Sequence, residues 1–184
     1  LIGNPSSVHS EGRVARNIIE RSRDDIMELL GLNEGKIIFT SGASESAALL
    51  LHDKKLKCSA IEHDCVKKWC DVSIPIMKNG LVFSNEAKNN LALQIANSET
   101  GILQNMPKGV ACTDAVQAVG KINCKFEEIQ PEALFLASHK VCGPKGVGVL
   151  FVKNEDFIQP TIVGGNQEFG LRAGTENFLL IAAF

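Results

Sequence analysis

The sequence predicts a three-layer α/β fold, a mainly parallel sheet with helices on both faces. Short apolar runs recur along the whole chain, helical periodicity fills several of the intervals between them, and two of the runs end abruptly in polar, small-residue turns. Over residues 10–30 the apolar positions Val14, Ile18, Ile26, Leu29 and Leu30 follow a helical period, and Gly31 stands just beyond as a stop. Lys36-Ile37-Ile38-Phe39 reads as a strand. Thr40-Ser41-Gly42-Ala43-Ser44-Glu45-Ser46 then turns into a second helix carrying Ala47, Ala48, Leu50 and Leu51. Further strands are expected at residues 58–61, 74–77, 91–96, 110–113, 133–137 and 148–152. With no internal repeat, low-complexity tract or linker, residues 1–184 read as a single domain.

The composition is that of an ordinary globular domain: 184 residues, 45% hydrophobic, 19 basic against 21 acidic side chains and a net charge of -2. That length supports one substantial core. The balanced charge, with no Lys/Arg stripe interleaved with aromatics, argues against a nucleic-acid or anionic-membrane surface. No apolar run approaches the ~20 residues that cross a bilayer. The start, Leu1-Ile2-Gly3-Asn4-Pro5, has no basic segment leading into an apolar one, so the expected location is cytoplasmic. The six cysteines, at 58, 65, 70, 112, 124 and 142, include no C-x-x-C pair. At least four are expected to pack as small hydrophobes, and no metal site is expected.

Three stretches carry chemistry. In Ser138-His139-Lys140-Val141-Cys142-Gly143-Pro144-Lys145-Gly146, the apolar run of residues 133–137 delivers a lysine to a strand end, ahead of a glycine-rich turn. A lysine there is either a solvated loop residue or, if desolvated or flanked by cations, a nucleophile toward an aldehyde. The turn of residues 40–46 offers free helix N-terminal amides and small side chains to an anion, although such turns also cap helices that bind nothing. Asp114, at another strand end, is either a buried counter-ion for a cation or the N-cap of a capping box closed by Gln117.

In that order along an α/β chain, an anion-binding helix start, a strand-end acid and a strand-end lysine meet the needs of pyridoxal 5'-phosphate: a phosphate, a protonated ring nitrogen and an aldehyde. On these residues the sequence resembles the class V aminotransferase group of fold-type I pyridoxal-phosphate enzymes and, within it, the NifS/IscS-like cysteine desulfurases. Gly3-Asn4-Pro5-Ser6-Ser7-Val8-His9 with Gly12-Arg13 and Ala15-Arg16 is similar to the family's opening loop and first helix. The resemblance implies that Ala43 and Ser44 hold the phosphate and that His63, of Glu62-His63, stacks on the ring and assists proton transfer. It pairs Asp114 with the ring nitrogen and Gln117 with the ring hydroxyl. It makes Lys140 the Schiff-base lysine and His139 a phosphate contact. Gly164-Gly165-Asn166-Gln167-Glu168 and Arg172-Ala173-Gly174-Thr175-Glu176-Asn177 resemble the segment whose threonine reaches the phosphate of a neighbouring subunit, which implies a homodimer with shared active sites.

The chain departs from the family pattern at named places. Ser98 stands where an asparagine is expected to meet the substrate carboxylate, with Asn97 beside it as a possible substitute. Ala137 stands where a phosphate-binding serine is expected, with Ser138 adjacent. The segment between Ser46 and His63 is short. The family's small C-terminal domain, with its sulfur-accepting cysteine, has no counterpart, so the chain reads as the cofactor-binding large domain. The implied function is cleavage of the C–S bond of L-cysteine to alanine and persulfide sulfur for iron–sulfur cluster assembly, with a sulfur-acceptor protein as partner. Transamination, selenocysteine lysis or a non-catalytic large domain would share the same residues.

Overall fold

The computed structural model describes residues 3–83 and 88–184. The first helix, α1 (Ser10–Leu29), starts where His9 Nδ1 accepts the Gly12 N–H at 3.3 Å and stops at Gly31, whose φ of 63° a glycine adopts without steric cost. Its buried face matches the expected one only in part, since Ile26 and Leu30 are buried as expected. Ala15, Ile19, Ile26 and Arg23 turn inward, while Val14 and Leu29 are 46% and 74% exposed. The cause lies far along the chain: the Arg23 guanidinium donates to Glu168 Oε2 at 3.0 Å and to the Ile37 carbonyl, and this buried pairing sets the rotation of the helix.

Strand β1 (Lys36–Thr40) and helix α2 (Ala43–Leu51) follow as the sequence implies. Strand β2 (Lys57–Ser59) ends earlier than expected because the chain turns there, with the Glu62 N–H donating to the Ser59 carbonyl at 3.3 Å. After the one-turn helix α3 (Asp64–Lys67) comes β3 (Asp71–Ile74), which lies ahead of the expected 74–77. It pairs in parallel with β2 from Asp71 opposite Lys57, and Pro75, which has no N–H to give a ladder, closes it. Strands β4 (Ala92–Gln94) and β5 (Cys112–Asp114) are shorter than or displaced from their predicted spans. A one-turn helix α4 (Phe126–Ile129) leads to β6 (Ala133–Ala137) and β7 (Gly148–Val152), both at the predicted residues, and α5 (Phe178–Ala182) lies near the end of the chain.

The main sheet has the order β1-β7-β6-β5-β4. Four strands point the same way, and β7 alone runs antiparallel to both neighbours, β1 and β6. No crossover helix separates β6 from β7, so the chain returns directly and the pair must be antiparallel. A single parallel bridge from Lys57 to Leu91 sets the β2–β3 pair beside the β4 edge.

The strands alternate between two cores. Ile38, Phe135, Leu150 and Val152 pack with Ala47, Leu50 and Leu51 of α2 on one face. Ile37, Phe39, Leu134, Leu136, Val149 and Phe151 pack with Ile19 and Ile26 of α1 and Ile181 of α5 on the other. Because β1, β4, β5 and β6 run the same way, their C-terminal residues Thr40, Gln94, Asp114 and Ala137 reach the same side of the sheet, where open α/β sheets place their ligands.

Candidate cofactor and active site

A cavity of about 660 Å³ opens at that edge. At one end lies the N-terminus of α2. Gly42, its cap residue, offers no side chain, and the first hydrogen bond into the helix is Ser46 N–H to the Gly42 carbonyl, so the amides of Ala43, Ser44 and Glu45 are left for another acceptor. Ala43 and Ser44 line the wall, joined by His139 and Lys140 from the 3-10 turn that follows β6. Glu45 is turned away from the role of anion competitor. Its Oε2 accepts the Ser41 N–H at 2.8 Å, and its Oε1 accepts Arg172 Nε at 2.7 Å. Burial opposes ionisation of Glu45, but Arg172 and Ser41 outweigh it and hold the carboxyl below its ordinary value.

At the other end stands Asp114, the last residue of β5. Its Oδ1 accepts the Val116 N–H at 2.9 Å, and the carboxylate makes no other hydrogen bond among the described residues. Burial pushes its pKa up to about 6, against the pull of the Val116 N–H and of His63. A cation placed against a buried carboxylate favours its charged form. The capping box is not formed: residues 116–120 make turns, and Gln117 Oε1 accepts Lys121 Nζ at 2.9 Å. That leaves the Gln117 amide nitrogen free on the cavity wall.

His63 and Ser98 also line the cavity. Behind them Glu62, 2% exposed, accepts the Gln94 N–H through Oε1 at 3.1 Å, while its Oε2 has no partner. Burial lifts the Glu62 carboxyl well above the carboxylate range, and the charge of Asp114 adds to this.

Three of the expected residues lie elsewhere. Asn97 braces the loop: its Nδ2 donates to the Ile61 carbonyl at 3.0 Å, and its Oδ1 accepts the Glu99 and Thr100 N–H groups. It thereby holds Ser98 at the cavity without reaching it. Ser138 is fully buried behind the wall with an unpartnered Oγ, packed where a Cβ on Gly143 would come within 2.0 Å of it. Thr175 lies in a separate small pocket with Ser41, Gly146 and Arg172.

The structure adds Glu45, Cys65, Gln94 and Glu99 to the wall. Glu45 sat inside a quoted motif, and Gln94 is a polar residue in an otherwise apolar strand run, so both carried a readable signal. Cys65 carried none beyond its closeness to His63. Cys142, two residues from Lys140, is exposed and is not part of the wall.

The aminotransferase class-V family model matches residues 1–66 and 80–184. A cysteine desulfurase of Archaeoglobus fulgidus is 37% identical over 215 aligned positions, covering 99% of this chain and 56% of the relative. The cysteine desulfurase IscS of Dictyoglomus turgidum is 34% identical, covering 95% and 53%. The chain therefore spans about half the length of the curated relatives it matches. Among solved structures, a NifS-like protein of Rickettsia africae superposes with a TM-score of 0.86 at 30% identity over 98% of this chain and 59% of that one. A protein named SspA, solved in complex with cysteine, gives 0.82 at 33% identity over 99% and 63%.

Proposed function

This chain belongs to the aminotransferase class-V family, whose cysteine desulfurases depend on pyridoxal 5'-phosphate, and from that premise we propose that it is the cofactor-binding large domain of a cysteine desulfurase. The observation that carries the reading is one cavity with unsatisfied helix amides at one end, a buried carboxylate at the other, and His63 and Lys140 on its wall. This donor set fits a phosphate, a pyridinium and an aldehyde.

When bound, the cofactor supplies an aldehyde to hold the substrate amine and a ring to accept the electron pair released at the substrate α-carbon. The α2 amides, Ser44 and His139 would bind the phosphate, with the helix dipole behind them. Asp114 would keep a proton on the ring nitrogen, the pairing that its own burial makes favourable. The free Gln117 amide would donate to the ring hydroxyl. Lys140 Nζ would hold the cofactor through its aldehyde and would serve as the base for the substrate α-proton. Ser98 and Glu99 face the same space and would meet the substrate.

The substrate in this reading is L-cysteine, supported by the names of the curated relatives and by the cysteine complex of SspA. The products are alanine and sulfur passed as persulfide to a thiol outside this set of residues, supplied by further protein or by an acceptor partner in iron–sulfur cluster assembly. A homodimer belongs to the proposal because Thr175 sits apart from its own cavity, in a pocket flanking the same turn. Cytoplasmic location is supported by composition and by six free cysteines.

Borohydride reduction of the yellow, cofactor-loaded chain, followed by peptide mapping, should fix the label on Lys140. A label on Lys145, or none on saturated protein, overturns the reading.

A further inference from the structure

Three hydrogen bonds tie residues 61 and 62 to the edge strand β4 and the loop after it. Gln94 Nε2 and Asn97 Nδ2 both donate to the Ile61 carbonyl, at 2.8 and 3.0 Å, and the Gln94 N–H donates to Glu62 Oε1 at 3.1 Å. The last of these stands in for a strand. In a parallel ladder alternate residues bond to opposite neighbours. Leu91 accepts the Cys112 N–H and Ile95 donates to the Asp114 carbonyl, so Gln94 turns its N–H the other way, toward β2. Strand β2 has already ended at Ser59, and the buried Glu62 carboxyl takes the place of the missing carbonyl.

The far edge of the sheet uses the same device. There Glu168 Oε2 accepts the Phe39 N–H of β1 at 2.9 Å, and Arg23 balances its charge. Glu62 has no such cation in contact among the described residues, so it fills its place as the neutral acid. Burial and Asp114 favour that form, and the Gln94 N–H and Lys67 oppose it without offsetting them.

We propose that Glu62 is a positioning residue for His63, its side chain pinning to β4 the backbone from which the imidazole reaches the cavity. Local capping does not fix that place. His63 Nδ1 accepts the Cys65 N–H at 3.2 Å, which orients the ring on α3, a helix of four residues. Where the start of that helix stands relative to Asp114 depends on how residues 61 and 62 are anchored. The path is short: His63 adjoins Glu62, Glu62 holds Gln94, and Gln94 lies opposite Asp114 in the β4–β5 register. The consequence, which rests on the function proposed above, is that His63 and Asp114 keep a fixed separation while serving one cofactor ring.

The test is NMR of the cofactor-free, histidine-labelled chain at one fixed pH, reading the backbone and ring signals of His9, His52, His63 and His139. Glu62→Ala removes the acceptor, and the His63 signals should shift or broaden, while those of His9 and His52, which cap the start of α1 and the end of α2, stay in place. Glu62→Gln keeps an oxygen for the Gln94 N–H and should retain the wild-type His63 signals. Loss of stability alone would leave the folded-state signals of all four unmoved. If Glu62→Ala does not fold, Glu62→Leu, which fills the space without an acceptor, replaces it, and in the wild type the Gln94 amide should exchange with solvent as slowly as that of Ile95. Unmoved His63 signals in the variants without an acceptor, an equal change in Glu62→Gln, or fast exchange at the wild-type Gln94 amide overturns the proposal. Loaded with pyridoxal 5'-phosphate, Glu62→Ala should keep the borohydride label on Lys140 and lose most of the visible circular dichroism of a ring held in one orientation; undiminished dichroism counts against the proposal. The NMR result contains no cofactor and is independent of whether Lys140 captures one.

Discussion

Replacing Asp114 by asparagine should stabilise the cofactor-free chain while crippling cofactor chemistry. The carboxyl is almost completely buried, and its pKa is raised from the ordinary 3.8 to about 6. Folding therefore binds a proton more tightly than the unfolded chain does, and stability falls as the pH climbs from about 4 to about 6. Above that window the full penalty is present, at most about 3 kcal/mol from a shift of about 2.2 units at 1.36 kcal/mol each. For a chain of this size the penalty corresponds to a melting-point difference of at most roughly 6–12 °C. Asparagine keeps an oxygen to accept the Val116 N–H and carries no charge, so Asp114→Asn should melt higher than the wild type at pH 8 and equal to it near pH 3.5. With pyridoxal 5'-phosphate the order should reverse, since the wild-type carboxylate gains a pyridinium partner and the amide does not. Thermal unfolding of both proteins at the two pH values, with and without cofactor, checks this. Equal or lower stability of the variant at pH 8, or a difference that does not change with pH, would refute the reasoning.

Arg172→Ala removes the two-point contact to Glu45 and frees that carboxylate beside the α2 amides. Equilibrium titration should then show cofactor affinity weakened by about 1–3 kcal/mol, the cost of losing a charged hydrogen bond. Gly148→Ala would place a Cβ 2.6 Å from the backbone of Gly42, and denaturant unfolding should find a loss of about 1–3 kcal/mol, as for other overpacked sites. A Thr175→Ala chain mixed with a Lys140→Ala chain should recover one intact site per mixed dimer, because both lesions fall in the same shared pocket. Light scattering showing only monomer, or mixtures binding cofactor no better than either parent, would leave Thr175 without a role in a partner's site.

What could be read from residues alone was whatever depends on near neighbours in the chain. The apolar runs of β6 and β7 had their ends marked by Ser138 and by Gly148, and the small-residue turn at 40–46 announced both a strand end and a helix start. The ends of the cavity were legible for the same reason, since Ala43, Ser44, Asp114, His139 and Lys140 each sit at a boundary that periodicity marks. The rotation of α1 was not legible, because Arg23 is pulled inward by Glu168, 145 residues away, against the pattern of its own helix. Nor was the role of Glu45, defined by Arg172 at a separation of 127 residues. Ser138 and Asn97 carry the polar groups expected of cavity residues, but the 3-10 turn after β6 points one into the core and the loop after β4 uses the other as its brace. Alternation and helical period are properties of a few consecutive residues, so a strand or a turn can be recognised before it is placed. The direction a side chain takes depends on register and on partners that meet only when the chain has closed.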